Sequence, residues 1–247
     1  MKITSATNNL IKYFSRLQDK KVRDEEQLFI LEDEDLIKIA MKKNIVKSYL
    51  FYGDLPDYDY TNVDMIEVTP EIIRKISFLT TPRKSLCICH YLKNQDIIGS
   101  SIVALDGIQD PGNGGTIARS ALAFNFSGLL ISNNSFDQYN DKFIRATKGS
   151  LFDLPIVRVD LASAIKDYMK LGYRIVAAEI TPNAVMIKKY KPIGKYILVL
   201  GSEGQGLSKE IRDLCDVSVY IPQSNLVESL NVGVAASICM YELTRGD

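Results

Sequence analysis

Short runs of β-branched and other apolar residues recur along the second part of the chain and alternate with segments of helical length. Strands that are buried on both faces read as continuous apolar runs, so this alternation predicts a mainly parallel sheet covered by helices on both faces. The predicted strands are residues 101–105, 128–132, 154–159, 174–178, 196–200 and 217–221. We therefore expect an α/β domain over residues 99–247.

The first part of the chain has a more mixed pattern. Residues 48–53 and 85–92 read as strands, with three helical stretches before and between them. The polar stretch 93–96 is typical of a domain boundary. The sequence thus predicts a smaller α/β domain over residues 1–95.

Residues 8–27 have the periodicity of one amphipathic helix. Its apolar side carries Leu10, Ile11, Phe14 and Leu17. Its other side carries a basic stripe, which consists of Lys12, Arg16, Lys20 and Arg23. This stripe is either a solvated face or a surface that follows the phosphates of a nucleic acid.

An acidic run follows this helix, from Glu32 to Asp35. Such a run could bind a cation. It stands directly before the helical segment LIKIAMKK, however, and acidic residues stabilise the start of a helix. We therefore predict an N-cap and a first helical turn here.

The composition is that of a globular protein, with 247 residues of which 46% are hydrophobic. The 30 basic and 30 acidic residues give a formal net charge of zero, which argues weakly against a nucleic-acid partner but does not describe local patches. Four irregularly spaced cysteines and the absence of a secretion leader favour a reducing compartment. No apolar run is long enough to span a membrane, so we expect a soluble, cytoplasmic protein without a membrane partner.

Several kinds of enzyme site need residues that the chain lacks. His90 is the single histidine, and the pattern G-x-S-x-G is absent, which argues against hydrolases. The triphosphate-binding pattern G-x-x-x-x-G-K-[ST] and the Rossmann pattern are absent too. Cys87, Cys89 and His90 could bind zinc but lack a fourth ligand at a usable spacing. We expect them to be buried strand residues, and we expect no metal site.

Residues 106–124, DGIQDPGNGGTIARSALAF, place glycines and Asn113 in front of a predicted helix and Arg119 in the first turn of that helix. The start of a helix attracts anions and disfavours nearby cations. Arg119 at this position therefore predicts a bound anion, which is either a phosphate or a carboxylate.

Two later segments share this strand-loop-helix layout. Residues 198–211, LVLGSEGQGLSKEI, place Glu203 among glycines that would let the main chain approach a ligand. In residues 219–245, Ser229 is predicted to cap an apolar, buried helix, with Asn231 beside it. Each segment alone could be a plain turn or cap. Together with residues 106–124 they indicate one ligand site.

The chain resembles the SpoU/TrmH family of RNA ribose 2′-O-methyltransferases, in the SPOUT superfamily. Three signature motifs occur in order, LDGIQDPGNGGTIARSALAF, LVLGSEGQGLS and IPQSNLVESLNVGVAASICMYELTR, and the similarity covers residues 103–245. The resemblance implies a trefoil-knotted α/β domain that binds S-adenosyl-L-methionine and forms a homodimer. It also implies that the N-terminal part is a small α/β domain that binds the RNA substrate.

The resemblance also implies the site residues. The positions that match catalytic residues of the family are Asn113, Arg119, Glu203, Ser229 and Asn231. The positions that match its cofactor site are Leu200, Gly201, Glu203, Gly206, Ile221, Ser229, Leu230 and Asn231.

For the mechanism, we predict that the anion at Arg119 is an RNA phosphate beside the methylated ribose. A guanidinium is a poor proton acceptor, so Arg119 would hold the phosphate while a phosphate oxygen or water accepts the proton. The family's arginine is often assigned the alternative role of general base. Asn113 would orient the ribose or Arg119, and Glu203 would hold Arg119 or a loop amide. Ser229 and Asn231 would line the cofactor loop or the path of the hydroxyl.

The RNA substrate is expected to be ribosomal rather than transfer RNA, because the N-terminal domain accompanies such family members more often. Besides the basic stripe and Arg119, Arg145 and Lys148 are predicted to contact the RNA backbone. The main rival hypothesis is a non-catalytic RNA-binding or ribosome-assembly factor with the same fold.

Overall fold

The computed structural model describes residues 1–93, 95–224, 226 and 229–245. The chain divides into two compact units, of which the first consists of Met1–Lys93 and Tyr139–Arg145. The second consists of Asn94–Gln138 and Ala146–Asp247. Residue 94 of the predicted boundary and residues 225, 227 and 228 of the third motif lie outside the described residues.

The described residues form nine α-helices and eleven strands. Among these residues, no helix is long and apolar enough to cross a lipid bilayer. The helices are α1 (Asn9–Arg16), α2 (Lys20–Glu26), α3 (Glu34–Lys42), α4 (Pro70–Ile76), α5 (Pro111–Ala123), α6 (Asp141–Thr147), α7 (Leu161–Lys170), α8 (Lys209–Arg212) and α9 (Val232–Thr244). The strands are β1 (Leu28–Leu31), β2 (Val46–Phe51), β3 (Asp64–Glu67), β4 (Ser85–His90), β5 (Ser101–Asp106), β6 (Leu129–Ser132), β7 (Ile156–Val159), β8 (Arg174–Ala178), β9 (Val185–Met186), β10 (Tyr196–Gly201) and β11 (Val217–Tyr220).

The first unit contains a four-stranded sheet in the order β1-β4-β2-β3. Strand β4 pairs antiparallel with β1 and with β2, and β2 pairs parallel with β3. The two predicted strands of this unit correspond to β2 and β4, whereas β1 and β3 are only four residues long and were missed. The predicted start of α3 is confirmed, because the Asp33 side chain accepts hydrogen bonds from the main chain of Asp35 and Leu36.

The segment Tyr139–Arg145 belongs to this unit although it is remote in sequence. The ring of Tyr139 stacks on Tyr91 with 3.6 Å between centroids, and its hydroxyl accepts a hydrogen bond from the Leu92 main chain. A division of the sequence at residue 95 does not include this segment, because contacts between such distant residues leave no local pattern.

The predicted single helix over residues 8–27 is wrong, because the structure has two helices there. Helix α1 ends at Arg16, and Asp19 caps the start of α2 by accepting a hydrogen bond from the Lys21 main chain. The buried Arg23 guanidinium donates to the carbonyl oxygen of Leu17, which follows α1, at 2.8 Å. The break lets α2 turn Arg23 inward.

The second unit contains a seven-stranded sheet in the order β7-β6-β5-β10-β8-β11-β9. Every pair of neighbouring strands is parallel, which confirms the predicted parallel sheet. All six predicted strands are present, and β9, with two residues, was missed. Helix α7 shares a buried apolar cluster with the sheet, in which Ile165 packs with Ile197 and Val199.

Helix α5 begins earlier than the sequence suggested. Asp110 is its N-cap, accepting a hydrogen bond from the main chain of Asn113 at 2.9 Å, and Pro111 is its first residue. The glycines therefore lie inside the helix, and Arg119 is its ninth residue. The prediction that Arg119 occupies the first turn is wrong, because an aspartate cap and a proline at the first position outweigh helix-breaking glycines. Gly114 allows close packing, since a Cβ there would lie 2.3 Å from the Phe136 ring.

Candidate functional site

Glu203 lies in a tight loop directly after β10, at the carboxyl edge of the sheet. The loop is closed by two main-chain hydrogen bonds between Ser202 and Gly206, of 3.1 and 2.9 Å. Gly206 has a φ of +67°, and a Cβ on Gly201 would lie 2.2 Å from the carbonyl carbon of Gly206. Both glycines are therefore needed for this conformation.

Three of the predicted site residues, one from each motif, are joined by hydrogen bonds around the Glu203 carboxylate. They are Asn113, Glu203 itself and Asn231. The Oε1 atom of Glu203 accepts hydrogen bonds from Nδ2 of Asn113 at 2.8 Å and from Nδ2 of Asn231 at 3.2 Å. Nδ2 of Asn231 also donates to Oδ1 of Asn113 at 2.9 Å. The three side chains form what we call the Glu203 cluster. The structure thus joins residues that are 90 and 28 positions from Glu203 along the chain.

The Glu203 cluster lies at the start of α9. Oδ1 of Asn231 accepts from the main chain of Gly233 and Val234, so Asn231 is the N-cap of α9. The prediction that Ser229 caps this helix is therefore wrong. A carboxylate near a helix start is favourable because the first N–H groups of the helix are unpaired and locally positive.

Arg119 does not join the Glu203 cluster. It follows Asn113 by six residues, so its side chain leaves α5 about 120° around the axis and about 9 Å further along it. Arg119 is exposed and makes no hydrogen bond or ion pair with the described part of the chain. Glu203 was expected to hold Arg119 or a loop amide. Its partners are the side-chain amides of Asn113 and Asn231 and the main-chain N–H of Val232, and not Arg119.

One side of the Glu203 cluster opens into a cavity of about 240 Å³ between the ends of β10 and β11, here called the β10–β11 cavity. Of the eight predicted cofactor residues, all except Asn231 line it. These seven residues are Leu200, Gly201, Glu203, Gly206, Ile221, Ser229 and Leu230.

The β10–β11 cavity combines apolar walls with free main-chain groups. The main chain of Ile221 and Leu230 forms no hydrogen bond with other described residues, so it can bind the polar edge of a ligand. Burial raises the pKa of the Cys239 thiol in the wall to about 12, so this cysteine is neutral rather than a nucleophile. Sequence reasoning missed Glu179, which follows β8 and lines the cavity.

The other side of the Glu203 cluster opens into a second cavity of about 620 Å³, here called the β5–β6 cavity. Glu203 and Asn113 line it together with Asp106, Gln109, Asp110 and Asn134. Sequence reasoning missed Gln109 and Asn134, although each belongs to a loop that directly follows a strand.

Only part of the predicted basic stripe is exposed to solvent. Lys12 and Arg16 are exposed on α1. Lys20 forms an ion pair with Asp24 one turn further along α2. Arg23 is 4% exposed and donates to main-chain oxygens, so the prediction that it contacts RNA is wrong.

The two remaining predicted RNA contacts also differ from each other. Arg145 belongs to the first unit, and its guanidinium forms hydrogen bonds of 2.7–3.1 Å with both carboxylate oxygens of Asp141. These bonds raise the pKa of Arg145 above its ordinary value. Lys148 belongs to the second unit and is exposed, with a left-handed φ of +49°.

Cys87 and Cys89 are buried on β4, as predicted, whereas His90 at the end of this strand is exposed. Within the described ranges, no group of three or more histidine, cysteine, aspartate or glutamate side chains is arranged to hold a metal ion.

Comparisons with known proteins show what the chain is similar to. The model of the SpoU rRNA methylase family matches residues 100–241, and that of the MRM3-like substrate binding domain matches residues 8–87. The 23S rRNA (guanosine(2553)-2′-O)-methyltransferase RlmP of Bacillus subtilis (strain 168) is 28% identical over 244 residues, covering 98% of each chain.

Two crystal structures share the fold. The AdoMet-bound rRNA methyltransferase from Sinorhizobium meliloti superposes with a TM-score of 0.88 and 27% identity, over 99% of this chain and 97% of that one. The SpoU methyltransferase AviRb from Streptomyces viridochromogenes, in complex with AdoMet, has a TM-score of 0.86 and 24% identity, over 96% of this chain and 97% of that one.

Proposed function

Because the chain belongs to the SpoU rRNA methylase family, we propose that it transfers a methyl group from S-adenosyl-L-methionine to a ribose 2′-hydroxyl of ribosomal RNA. The observation that carries this proposal is the Glu203 cluster, which joins one polar side chain from each of the three motifs by hydrogen bonds and whose Glu203 lines the β10–β11 cavity. The full-length similarity to a 23S rRNA methyltransferase supports ribosomal RNA as the substrate.

The β10–β11 cavity fits S-adenosyl-L-methionine. Its apolar walls suit the adenine ring. The main chain of Ile221 and Leu230, which bonds to no other described residue, suits the polar edge of adenine or the amino-acid group. The Glu179 carboxylate, which also accepts a hydrogen bond from Nε of Arg212 at 3.1 Å, is a candidate partner for the ribose hydroxyls of the cofactor. The cofactor supplies a methyl group that is already activated on a sulfonium.

The residues of the chain must therefore align the accepting hydroxyl and remove its proton. We assign the alignment to the Glu203 cluster. Its three side chains hold one another, and the cap on α9 fixes Asn231, so the cluster presents amide groups to the ribose in a set direction. Ser229 is exposed at the rim of the cavity and would line the path of the hydroxyl.

Arg119 would bind the RNA phosphate beside the methylated ribose. Its exposed guanidinium, without a partner in the described residues, is available for this contact, and a phosphate oxygen or water would accept the proton. Arg119→Lys separates this role from that of a general base. We expect a slower reaction whose pH dependence keeps its shape. A pH–rate profile that follows the pKa of the lysine would contradict the phosphate-binding role of Arg119.

The reaction itself has a direct test. We expect calorimetry to detect binding of S-adenosyl-L-methionine, and ribose-methylation mapping of RNA from cells with and without the protein to show one site lost from ribosomal RNA. Loss of a site from transfer RNA would change the substrate class. If the protein does not bind the cofactor, it would be a non-catalytic RNA-binding or ribosome-assembly factor.

We also propose that the chain works as a homodimer in the cytoplasm, and that its second unit is a trefoil knot. The dimer is supported by an apolar surface on α5 and α9, where Leu122, Val234 and Tyr241 are 37%, 47% and 49% exposed. Val234→Glu should yield monomers in analytical ultracentrifugation. Leu171→Glu, at a residue that is 64% exposed after α7, should leave the dimer intact, and a monomeric wild type would contradict the proposal.

A further inference from the structure

We propose that the β5–β6 cavity holds the nucleobase of the methylated nucleotide and that Asn134 reads this base, an inference that rests on the proposed function. The cavity shares Glu203 and Asn113 with the cluster to which we assign the ribose. A nucleotide whose ribose lies at that cluster can therefore place its base in the β5–β6 cavity. The volume of about 620 Å³ lies in the usual range of small-ligand sites.

The charges around the cavity favour a base over a phosphate. Asp106, Asp110 and Glu203 are among the residues that line it, and the described lining includes no lysine, arginine or histidine. An anion would be repelled by this lining. A nucleobase is uncharged and carries hydrogen-bond donors and acceptors on its edges, which carboxylate and amide groups recognise.

The wall that carries Asn134 is held rigidly. The Arg158 guanidinium donates to the carbonyl oxygens of Ser132 at 2.9 Å, Asn133 at 3.2 Å and Ser135 at 3.3 Å, and also to that of Phe136. Four carbonyl groups of one short loop thus converge on one side chain. We infer that Arg158 is a positioning residue, because a binding site must be held within a fraction of an ångström.

Hydrogen bonds also set the direction of the Asn134 amide. The Ser132 hydroxyl donates to Oδ1 of Asn134 at 2.6 Å, and this hydroxyl accepts from the Gly107 main chain at 2.9 Å. Nε2 of Gln109 donates a hydrogen bond to the main-chain oxygen of Asn134 at 2.6 Å. The acceptor of the amide is thus occupied, while its Nδ2 donor bonds to no other described residue and lies near Gly107. This donor is available to an acceptor atom of the base.

Two substitutions test the proposal as a matched pair. Asn134→Asp keeps the acceptor for Ser132 but replaces the Nδ2 donor by a carboxylate oxygen. Asn133→Asp adds the same charge at the neighbouring exposed residue, which does not line the cavity. Thermal unfolding followed by circular dichroism checks that both variants are folded.

The first measurement is saturation-transfer NMR with guanosine, adenosine, cytidine and uridine on the full chain. We expect transfer to the base protons of at least one nucleoside, an affinity at least tenfold weaker in Asn134→Asp, and no change in Asn133→Asp. The proposal is overturned if no nucleoside binds to the wild type, or if both variants behave alike.

The second measurement separates this proposal from the proposed function. In methyl transfer to ribosomal RNA, Asn134→Asp should raise KM at least tenfold with little change in kcat, and Asn133→Asp should resemble the wild type. If nucleoside binding depends on Asn134 but no RNA is methylated, the proposed function fails and the base site stands. If RNA is methylated and both variants match the wild type, the base site fails alone.

Discussion

The two units of the chain use their central polar side chains differently. In the first unit, Arg23 and Glu32 are 4% and 3% exposed, and each bonds to main chain of its own fold. Arg23 donates to Leu17 and Gln18, while Glu32 accepts from the Phe78 main chain at 2.7 Å and from the Ser77 hydroxyl.

In the second unit, the side chains of Glu203, Asn113 and Asn231 bond to one another, and Glu203 and Asn113 also line cavities. We infer that Arg23 and Glu32 serve stability, because they bond to the backbone of their own fold, and that the Glu203 cluster serves the proposed reaction. Substitutions in the first unit should therefore change the free energy of unfolding, and those in the Glu203 cluster should change the reaction.

The largest effect is expected for Glu203→Ala. The substitution removes the shared acceptor of Asn113 and Asn231, so Asn113 loses the partner of its Nδ2 donor and Asn231 is held only by its cap on α9 and its bond to Asn113. A displacement of about 1 Å at a reacting group can slow a reaction about 100-fold. We expect the single-turnover rate of methyl transfer to fall by about this factor or more, with little change in the melting temperature because Glu203 is exposed.

The matched control is Glu210→Ala, which removes an exposed glutamate on α8 that is 3.7 Å from Lys166. This variant should retain the wild-type rate. A Glu203→Ala enzyme with more than a tenth of the wild-type rate would show that the cluster does not align the substrate.

Arg23→Met should have the opposite signature. It leaves the carbonyl oxygens of Leu17 and Gln18 without their donor, and each unsatisfied buried group costs about 1–3 kcal/mol. We expect the free energy of unfolding, measured with urea, to fall by about 2–4 kcal/mol. Arg16→Met removes the same charge from an exposed position and should change it by less than about 0.5 kcal/mol. Equal urea midpoints for the two variants would refute the structural role of Arg23.

These two arginines also show how far the fold could be predicted from the sequence. The strands of the second unit were found because a buried parallel strand is a continuous apolar run. The amphipathic spacing of residues 8–27 fits one helix as well as two, so it could not reveal the break after Arg16 or the burial of Arg23. The predicted starts of α5 and α9, which relied on Arg119 and Ser229, were also wrong, because a single side chain decides where a helix is capped.

The candidate site could be predicted to a similar extent. Motif positions identified the members of the Glu203 cluster but not their mutual hydrogen bonds, which join residues up to 118 positions apart. Asn134 and Glu179 had no motif. Their only signal was a polar residue after the end of a strand, and many surface loops share that signal.

A smaller effect concerns the pH dependence of stability. Burial raises the pKa of Glu32 above its ordinary value, so the folded chain holds this proton more tightly than the unfolded chain. The resulting stabilisation is complete below the unfolded pKa of about 4.3 and is lost as pH rises through the folded pKa. Glu32→Gln does not titrate, so this variant should gain stability relative to the wild type as pH rises through that window.

Urea unfolding of both proteins at several pH values measures this difference. Titrations of all other groups cancel in it to first order. A difference that is independent of pH, or that moves in favour of the wild type as pH rises, would contradict the raised pKa of Glu32.

The smallest effect concerns the exposed part of the basic stripe. If Lys12 and Arg16 contact RNA phosphates, each neutral substitution should flatten the slope of log affinity against log salt by about 0.7–0.9. Lys12→Gln and Arg16→Gln should do so without changing the rate on bound RNA, as measured by filter binding and single-turnover assays. Lys170→Gln, which removes a lysine paired with Asp167 at 2.7 Å, should leave the slope unchanged. Unchanged slopes for all three variants would make α1 a solvated face, and the first unit would then bind RNA through other residues.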